Sequence, residues 1–163
     1  MSGIRIRPAE ITDADRISAV LIASITQLCV ADHRNDPAII AAWSANKTPD
    51  SIRRWFSNDR MQLCVAQVSE EIAGVGACDA DGRVVLNYVH PDYRGQGVSR
   101  AMLRHLEDHL AAGGVTLTTL TATQTALQFY RSAGWRQAGP REDDYGFPGF
   151  PMEKSLIRSE RWD

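Results

Sequence analysis

The fold is decided by residues 84–99, whose sequence is VVLNYVHPDYRGQGVS. The first six residues are almost continuously apolar, which is typical of a strand with neighbours on both sides. Two glycines follow, and from Val98 onward apolar residues recur at the spacing of one helical face. The stretch therefore predicts a mid-sheet strand, a turn and a helix, in that order.

The turn at residues 94–99, called the glycine turn below, has the chemistry of a phosphate site. Gly95 and Gly97 lack a Cβ, so backbone N–H groups can come close to a ligand. A helix that begins here leaves its first N–H groups without internal partners, and its dipole adds about half a positive charge. A pyrophosphate suits such a place, and Arg94 could add a charge-assisted hydrogen bond.

Two common nucleotide motifs do not fit the glycine turn. A dinucleotide-binding fold would place a third glycine where Arg100 stands and an acidic residue about 20 residues later, and residues 115–120 contain none. A nucleotide P-loop would end in Gly-Lys followed by Ser or Thr, which the chain lacks. On the glycines alone, a simple tight turn also remains open.

Outward from this stretch, strands and helices are distributed along the whole chain. The patterns predict a strand near 4–6, a helix over 12–25, two helices within 33–56, a hairpin over 63–78, a strand over 115–120, a helix over 125–133 and a last strand around 152–156. No repeat or linker interrupts them, so we expect one domain spanning 1–163.

Composition and charge exclude several classes of protein. The 18 basic and 20 acidic residues are spread along the chain, so no general attraction to nucleic acid or to a membrane surface is expected. Neither a leader segment nor a membrane span is visible, which makes the cytoplasm the expected location. Cys29, Cys64 and Cys78 lie in apolar stretches and are expected to be buried thiols.

A second motif lies at residues 126–135, which read ALQFYRSAGW. This motif and the Arg94-x-x-Gly97-x-Ser99 pattern resemble the two signatures of the GNAT superfamily of N-acetyltransferases. In that family the first pattern is Arg or Gln, two residues, Gly, one residue, then Gly or Ala, so Ser99 departs from it. The second is Ala, two residues, Phe-Tyr, three residues, Gly and an aromatic residue. Residues 32–60, where the family varies its acceptor site, match nothing in particular.

The resemblance implies an α/β fold with a mixed, mainly antiparallel sheet that is splayed at the cofactor site and carries helices on both faces. It implies acetyl-CoA as cosubstrate, no metal, and direct transfer of the acetyl group to a small-molecule or peptide amine in a ternary complex. A noncatalytic acyl-CoA sensor is the alternative, and the oligomeric state, monomer or homodimer, is left open. The cofactor contacts that it implies are Tyr88, Val89, Arg94, Gly95, Gln96, Gly97, Val98, Ser99, Thr123, Phe129 and Tyr130.

The same resemblance implies that Tyr130 is the catalytic acid that protonates the departing thiolate; a packed core aromatic is the other interpretation. A backbone N–H near Tyr88 and Val89 could stabilise the oxyanion. Residues 84–89 contain no carboxylate, so the base is not identified. Asp79, His90 and a water chain remain candidates.

Two patterns of histidine residues could indicate a site. His105 and His109 lie one helical turn apart, but the glutamate between them is misplaced for a zinc hydrolase motif, so we expect a solvated face. His33, with Asp32 and Asp36, is expected to be a solvated loop, and contact with the acceptor is the alternative because the cluster lies in the variable segment. Trp43, Trp55 and Phe56 are expected to lie in the core.

Overall fold

The computed structural model describes residues 3–144 and 146–157. The helices and strands are β1 (Ile4–Pro8), α1 (Ala14–Leu28), α2 (Val30–His33), α3 (Pro37–Ser44), α4 (Pro49–Trp55), β2 (Met61–Val68), β3 (Glu71–Asp79), β4 (Val84–Val89), α5 (Val98–Ala112), β5 (Leu117–Ala122), α6 (Gln124–Ser132), β6 (Arg136–Gln137), β7 (Glu142–Asp144) and β8 (Phe147–Ser155). The expected single domain, 1–163, also includes Met1, Ser2, Tyr145 and residues 158–163, which lie outside the described residues. Its extent stays a prediction.

The strands form two sheets that meet where β4 lies beside β5. The first sheet has the order β1-β2-β3-β4, and all its pairs are antiparallel. In the second, β8 pairs antiparallel with β5, β6 and β7. Among the described residues, the backbone pairing between this part of the chain and β5 is limited to a parallel bridge between Arg83, just before β4, and Thr119. The mixed, mainly antiparallel and splayed sheet is therefore confirmed.

The environment of β4 differs from the continuous burial that its sequence predicts. Val84 is buried, but Val85 is 36% exposed and the next four residues are only partly buried. The reason is that β4 pairs along its length with β3 alone, while its other edge faces open space. The strand lies between the two sheets and is hydrogen-bonded on one side.

Helices cover both faces of the first sheet. The apolar faces of α5 and α6 pack into one core cluster, and those of α1 and α4 pack into another. Two glycines of β3 let α5 come close: a Cβ at Gly74 would lie 2.7 Å from Val98 Cγ1, and one at Gly76 would collide with the Met102 side chain. This close contact fixes the first turns of α5 against the sheet.

Most of the predicted elements are confirmed, and short ones are added. The sequence did not predict α2, β6 or β7, which have only four, two and three residues.

The three cysteines are free and buried, as expected. No helix in the described ranges is long and apolar enough to cross a membrane.

Candidate functional site

A pocket of about 420 Å³ lies where β4 and β5 diverge. Its wall is contributed by the C-terminal part of α1, the whole of β4, the glycine turn, the end of β5 and the helix α6. The splay of the sheets therefore opens the pocket, and each flanking element places one or more side chains or backbone groups in it.

The glycine turn presents unpaired backbone donors. Gly95 and Gly97 have φ angles of +79° and +83°, a region that a side chain would strain, and nothing lies within 4 Å of where their Cβ atoms would be. Gly97 is the N-cap of α5 and has no side-chain cap. Within the described part of the chain, no backbone N–H of residues 95–100 has a hydrogen-bond partner. The Arg94 N–H differs, because it donates to the Pro91 carbonyl at 3.3 Å.

The structure brings most of the predicted cofactor residues to this one pocket. Those that line it are Tyr88, Val89, Arg94, Gly95, Gly97, Val98, Ser99, Thr123, Phe129 and Tyr130. Gln96 does not line it; this residue is exposed, and its side-chain amide donates to the Asp92 carbonyl at 3.3 Å. Thr123 also caps α6, since its hydroxyl accepts from the Ala126 N–H at 3.2 Å.

Further residues line the pocket that the sequence did not indicate. Ser24, Leu28 and Cys29 come from the end of α1 and the residue after it. The apolar periodicity of this helix predicts that the face is buried. It does not predict that the face lies beside β4, because that contact depends on residues far along the chain. Burial raises the pKa of the Cys29 thiol to about 12, so the thiol is protonated at neutral pH.

The charge at the pocket is positive near the glycine turn. Arg94 is exposed and makes no ion pair within the described residues. Arg100 lies over the Phe129 ring, 5.7 Å from its centroid, and donates to the Ser132 hydroxyl at 3.2 Å. No carboxylate or imidazole of the described chain lines the pocket. An anionic ligand would therefore meet two cations and no opposing charge.

Tyr130 is both a core residue and a pocket residue. Its side chain is 6% exposed, and its ring makes edge contacts with Phe129 and Trp135 at centroid distances of 5.1 and 5.8 Å. Burial raises the pKa of Tyr130 to about 12, although the neighbouring Asn87 side chain acts in the opposite direction. The hydroxyl therefore keeps its proton throughout the physiological pH range.

Asn87 carries a buried acceptor in the same wall. Its side-chain nitrogen donates to the Ser99 carbonyl at 3.4 Å, while Oδ1 is buried and has no hydrogen-bond partner among the described residues. Buried polar atoms are normally paired. An unpaired acceptor in a pocket wall is consistent with a partner that arrives with a ligand.

The structure does not bring Asp79 or His90, the two candidate bases, to the pocket. Asp79 lies beyond Cys78, which pairs with Val84 at the far end of β4, and its carboxylate accepts from the Asp81 and Arg83 N–H groups. It lines a separate hollow of about 290 Å³. His90 accepts from the Asp92 N–H at 3.1 Å.

The expectation of a solvated loop at Asp32 and His33 is wrong. Both residues are buried in α2, with exposures of 4% and 0%. His33 Nδ1 accepts from the Asn35 N–H at 2.9 Å, so Nε2 carries the proton and donates to the Ile25 carbonyl at 2.8 Å. Asp36 alone is exposed as predicted, and it caps α3.

The predicted core aromatic Trp43 is buried beside the pocket. Its ring lies 4.4 Å from that of Phe147, measured between centroids, and its Nε1 donates to the Tyr88 hydroxyl at 3.2 Å. This hydrogen bond from α3 holds the side chain of Tyr88, which lines the pocket.

Comparison with known proteins identifies similar chains. A family model described as the acetyltransferase (GNAT) domain matches residues 17–156. A crystal structure of a GCN5-related N-acetyltransferase from Rhodopseudomonas palustris is 25% identical, covers 95% of this chain and 97% of that one, and gives a TM-score of 0.84. PaiA N-acetyltransferase from Thermoplasma acidophilum, solved in complex with coenzyme A, is 20% identical over 94% and 99% of the chains, with a TM-score of 0.75.

A curated relative is similar over a shorter segment. N-alpha-acetyltransferase RimI from Mycobacterium tuberculosis is 39% identical over 61 residues, which are 37% of this chain and 39% of that protein. An uncharacterized protein from Mycobacterium leprae matches over 20% of its own length. The chain thus spans less than half the length of these two curated relatives.

The unpaired donors of the glycine turn predict how a charge at Gly97 acts on ligand binding. Gly97→Asp should weaken the binding of coenzyme A by about 100-fold or more, because a carboxylate would face the diphosphate. The measurement is isothermal titration calorimetry with coenzyme A.

Gly97→Asn is the matched control. Asn has nearly the same size as Asp and tolerates a positive φ about as well, but it has no charge. We expect it to retain affinity within about tenfold of the unchanged protein. Equal affinities for the Asp and Asn variants would contradict a diphosphate site at the glycine turn.

Proposed function

Because the chain belongs to the GNAT family of acetyltransferases, we propose that it transfers the acetyl group of acetyl-CoA to a primary amine by direct attack in a ternary complex. One observation carries this proposal. Residue 95 and residues 97–100, whose N–H groups are unpaired, line one pocket of about 420 Å³ together with Tyr130, whose hydroxyl is protonated.

The proposed place of the cosubstrate follows from the available hydrogen-bonding groups. Its diphosphate accepts from the N–H groups of the glycine turn, with Arg94 as an additional cation. Its pantetheine arm extends between β4 and β5, where the β4 edge that does not pair with β3 can bind amide groups around Val89. The similar fold of PaiA N-acetyltransferase, solved with coenzyme A, supports this assignment.

The chemical step needs an oxyanion donor and a stabilised leaving group. The amine nitrogen attacks the thioester carbon, the new C–N bond forms, and the carbonyl oxygen gains negative charge. A backbone N–H near Tyr88 and Val89 is proposed to donate to that oxygen. The C–S bond then breaks, and the proton that the nitrogen loses balances the one that the sulfur gains.

Tyr130 is proposed to donate its hydroxyl proton toward the departing sulfur. The transfer of a proton from a phenol with a pKa of about 12 to a thiolate with a pKa of about 8.5 is thermodynamically unfavourable. Tyr130 therefore stabilises the sulfur mainly through a hydrogen bond in the transition state, and full protonation follows as the attacking nitrogen releases its proton. In the alternative interpretation, Tyr130 is only a packed core aromatic, and its hydroxyl has no part in the reaction.

Water is proposed to take the proton from the amine. In the described part of the chain, no Asp, Glu or His lines the pocket, and the two candidate bases are engaged elsewhere. Ser24 and Thr121 line the wall, and their hydroxyls are suited to order water molecules. The amine then enters the reaction as its neutral form.

The activity is tested by measuring thiol release from acetyl-CoA with a panel of simple amines, amino acids, aminoglycosides and peptides. We expect at least one class of acceptor to give release that depends on both the acceptor and the protein. If no class gives release while calorimetry still detects coenzyme A binding, the sensor function replaces this proposal.

Tyr130→Phe tests the role of the hydroxyl. With the best acceptor, we expect kcat to fall by about 100-fold, whereas the affinity for coenzyme A stays within about twofold. Tyr93→Phe is the matched control, because Tyr93 also lines the pocket and loses the same atom. An unchanged kcat in Tyr130→Phe would show that the hydroxyl has no part in the reaction.

The pH dependence tests the water relay. Below the pKa of the acceptor amine, its neutral fraction rises about tenfold for each pH unit, so kcat/KM for the amine should rise in the same way and level off above that pKa. Tyr130 should not titrate in this range. The measurement compares two acceptors with different pKa values. A shared inflection at one lower pH for both acceptors would indicate a protein base instead.

A further inference from the structure

We propose that Asp32 is a positioning residue for the acetyl transfer: its buried carboxylate holds the N-terminus of α6 and so fixes the Tyr130 hydroxyl in the pocket. This inference rests on the function proposed above. It concerns a buried charged group that the reaction itself does not use.

The contacts of Asp32 are directed at a single helix end. Its carboxylate accepts from the Gln124 N–H at 2.7 Å, from the Thr125 N–H at 3.2 Å and from the Thr125 hydroxyl. The partners are 92 and 93 residues away along the chain. The side chain is therefore a tertiary cap, supplied by α2 to α6.

This cap completes the hydrogen bonding at the start of α6. The first N–H groups of a helix have no partners inside it. Asp32 accepts from two of them, and the Thr123 hydroxyl accepts from the Ala126 N–H. The negative charge also lies at the positive end of the helix dipole. A buried carboxylate without such partners would be strongly destabilising, so the contact has one preferred geometry.

The other end of α6 is held by a cation. Lys154 donates to the carbonyl of Ala133, the C-cap of α6, at 2.8 Å, and it pairs with Glu107 at 2.6 Å. The helix has nine residues, and Tyr130 lies in its last turn. Because a short helix moves nearly as a rigid rod, a change at its first turn alters the direction of the Tyr130 hydroxyl.

The same contact connects the segment in which the acceptor site is expected to the helix that carries Tyr130. Cys29 lines the pocket one residue before α2 begins, and Asp32 lies within α2. Asp32 also begins the segment 32–60 in which the acceptor site is expected. A segment expected to bind the amine is therefore attached directly to the helix that carries the leaving-group donor.

The test compares two Asp→Asn variants at helix N-termini. Asp32→Asn preserves size but removes the charge and turns an N–H donor toward α6. Asp15→Asn makes the same change in the first turn of α1, where the exposed carboxylate accepts from the Arg53 guanidinium at 3.0 Å. We expect Asp32→Asn to lower kcat by about tenfold and to leave coenzyme A affinity within about twofold, whereas Asp15→Asn leaves both unchanged.

A double-mutant cycle separates positioning from general stability. In the Tyr130→Phe background, Asp32→Asn should cause no further loss of kcat, because the group that it positions is gone. If the double variant shows the product of the two kcat losses seen in the single variants, the proposal is overturned. A normal kcat in Asp32→Asn would also overturn it. If Asp32→Asn does not fold, Thr125→Ala removes one of the three hydrogen bonds and should show a smaller loss that Tyr130→Phe also abolishes.

The outcomes distinguish this inference from the function on which it rests. An unchanged protein that releases no thiol with any acceptor overturns both. A protein that is active, loses kcat in Tyr130→Phe and keeps it in Asp32→Asn overturns the positioning role alone. Loss in both single variants without further loss in the double variant supports both.

Discussion

The whole site depends on the point at which β4 and β5 stop pairing. The two strands begin side by side, with a parallel bridge between Arg83 and Thr119, and then separate. Hydrogen bonding between neighbouring strands normally continues along their length, so this divergence leaves backbone groups of both strands facing a shared space. The glycine turn and the first turn of α5 follow the open end of β4, and α6 follows the open end of β5. The divergence therefore determines what can meet in the pocket.

The parts of this arrangement that depend on neighbouring residues could be predicted from the sequence. Positive φ angles at Gly95 and Gly97 and the helix that begins at Val98 are local features, which glycine spacing and apolar periodicity reveal. Asp32 could not be interpreted in this way, because its partners at Gln124 and Thr125 are far along the chain. A carboxylate beside a histidine resembles a solvated loop until the fold supplies those partners.

The pocket combines a cationic entrance with a neutral interior. Arg94 and Arg100 lie near the glycine turn, while the described wall is otherwise built of apolar side chains, hydroxyls and one amide. The burial that keeps the phenol of Tyr130 protonated equally excludes unpaired carboxylates from its surroundings. One environment therefore favours a ligand with an anionic end and a neutral reactive end. It also agrees with the absence of Asp, Glu and His from the described wall of the pocket.

The open edge of β4 has a consequence for the solubility of the protein. A strand edge with unpaired N–H and C=O groups is normally a hazard, because a strand from another molecule can add to it and begin aggregation. Here that edge forms one wall of a pocket of about 420 Å³, which β5, α6 and the first turn of α5 also line, so an added strand would have to fit within this volume. The free hydrogen-bonding groups of β4 are therefore more accessible to a narrow ligand than to a strand of another folded molecule.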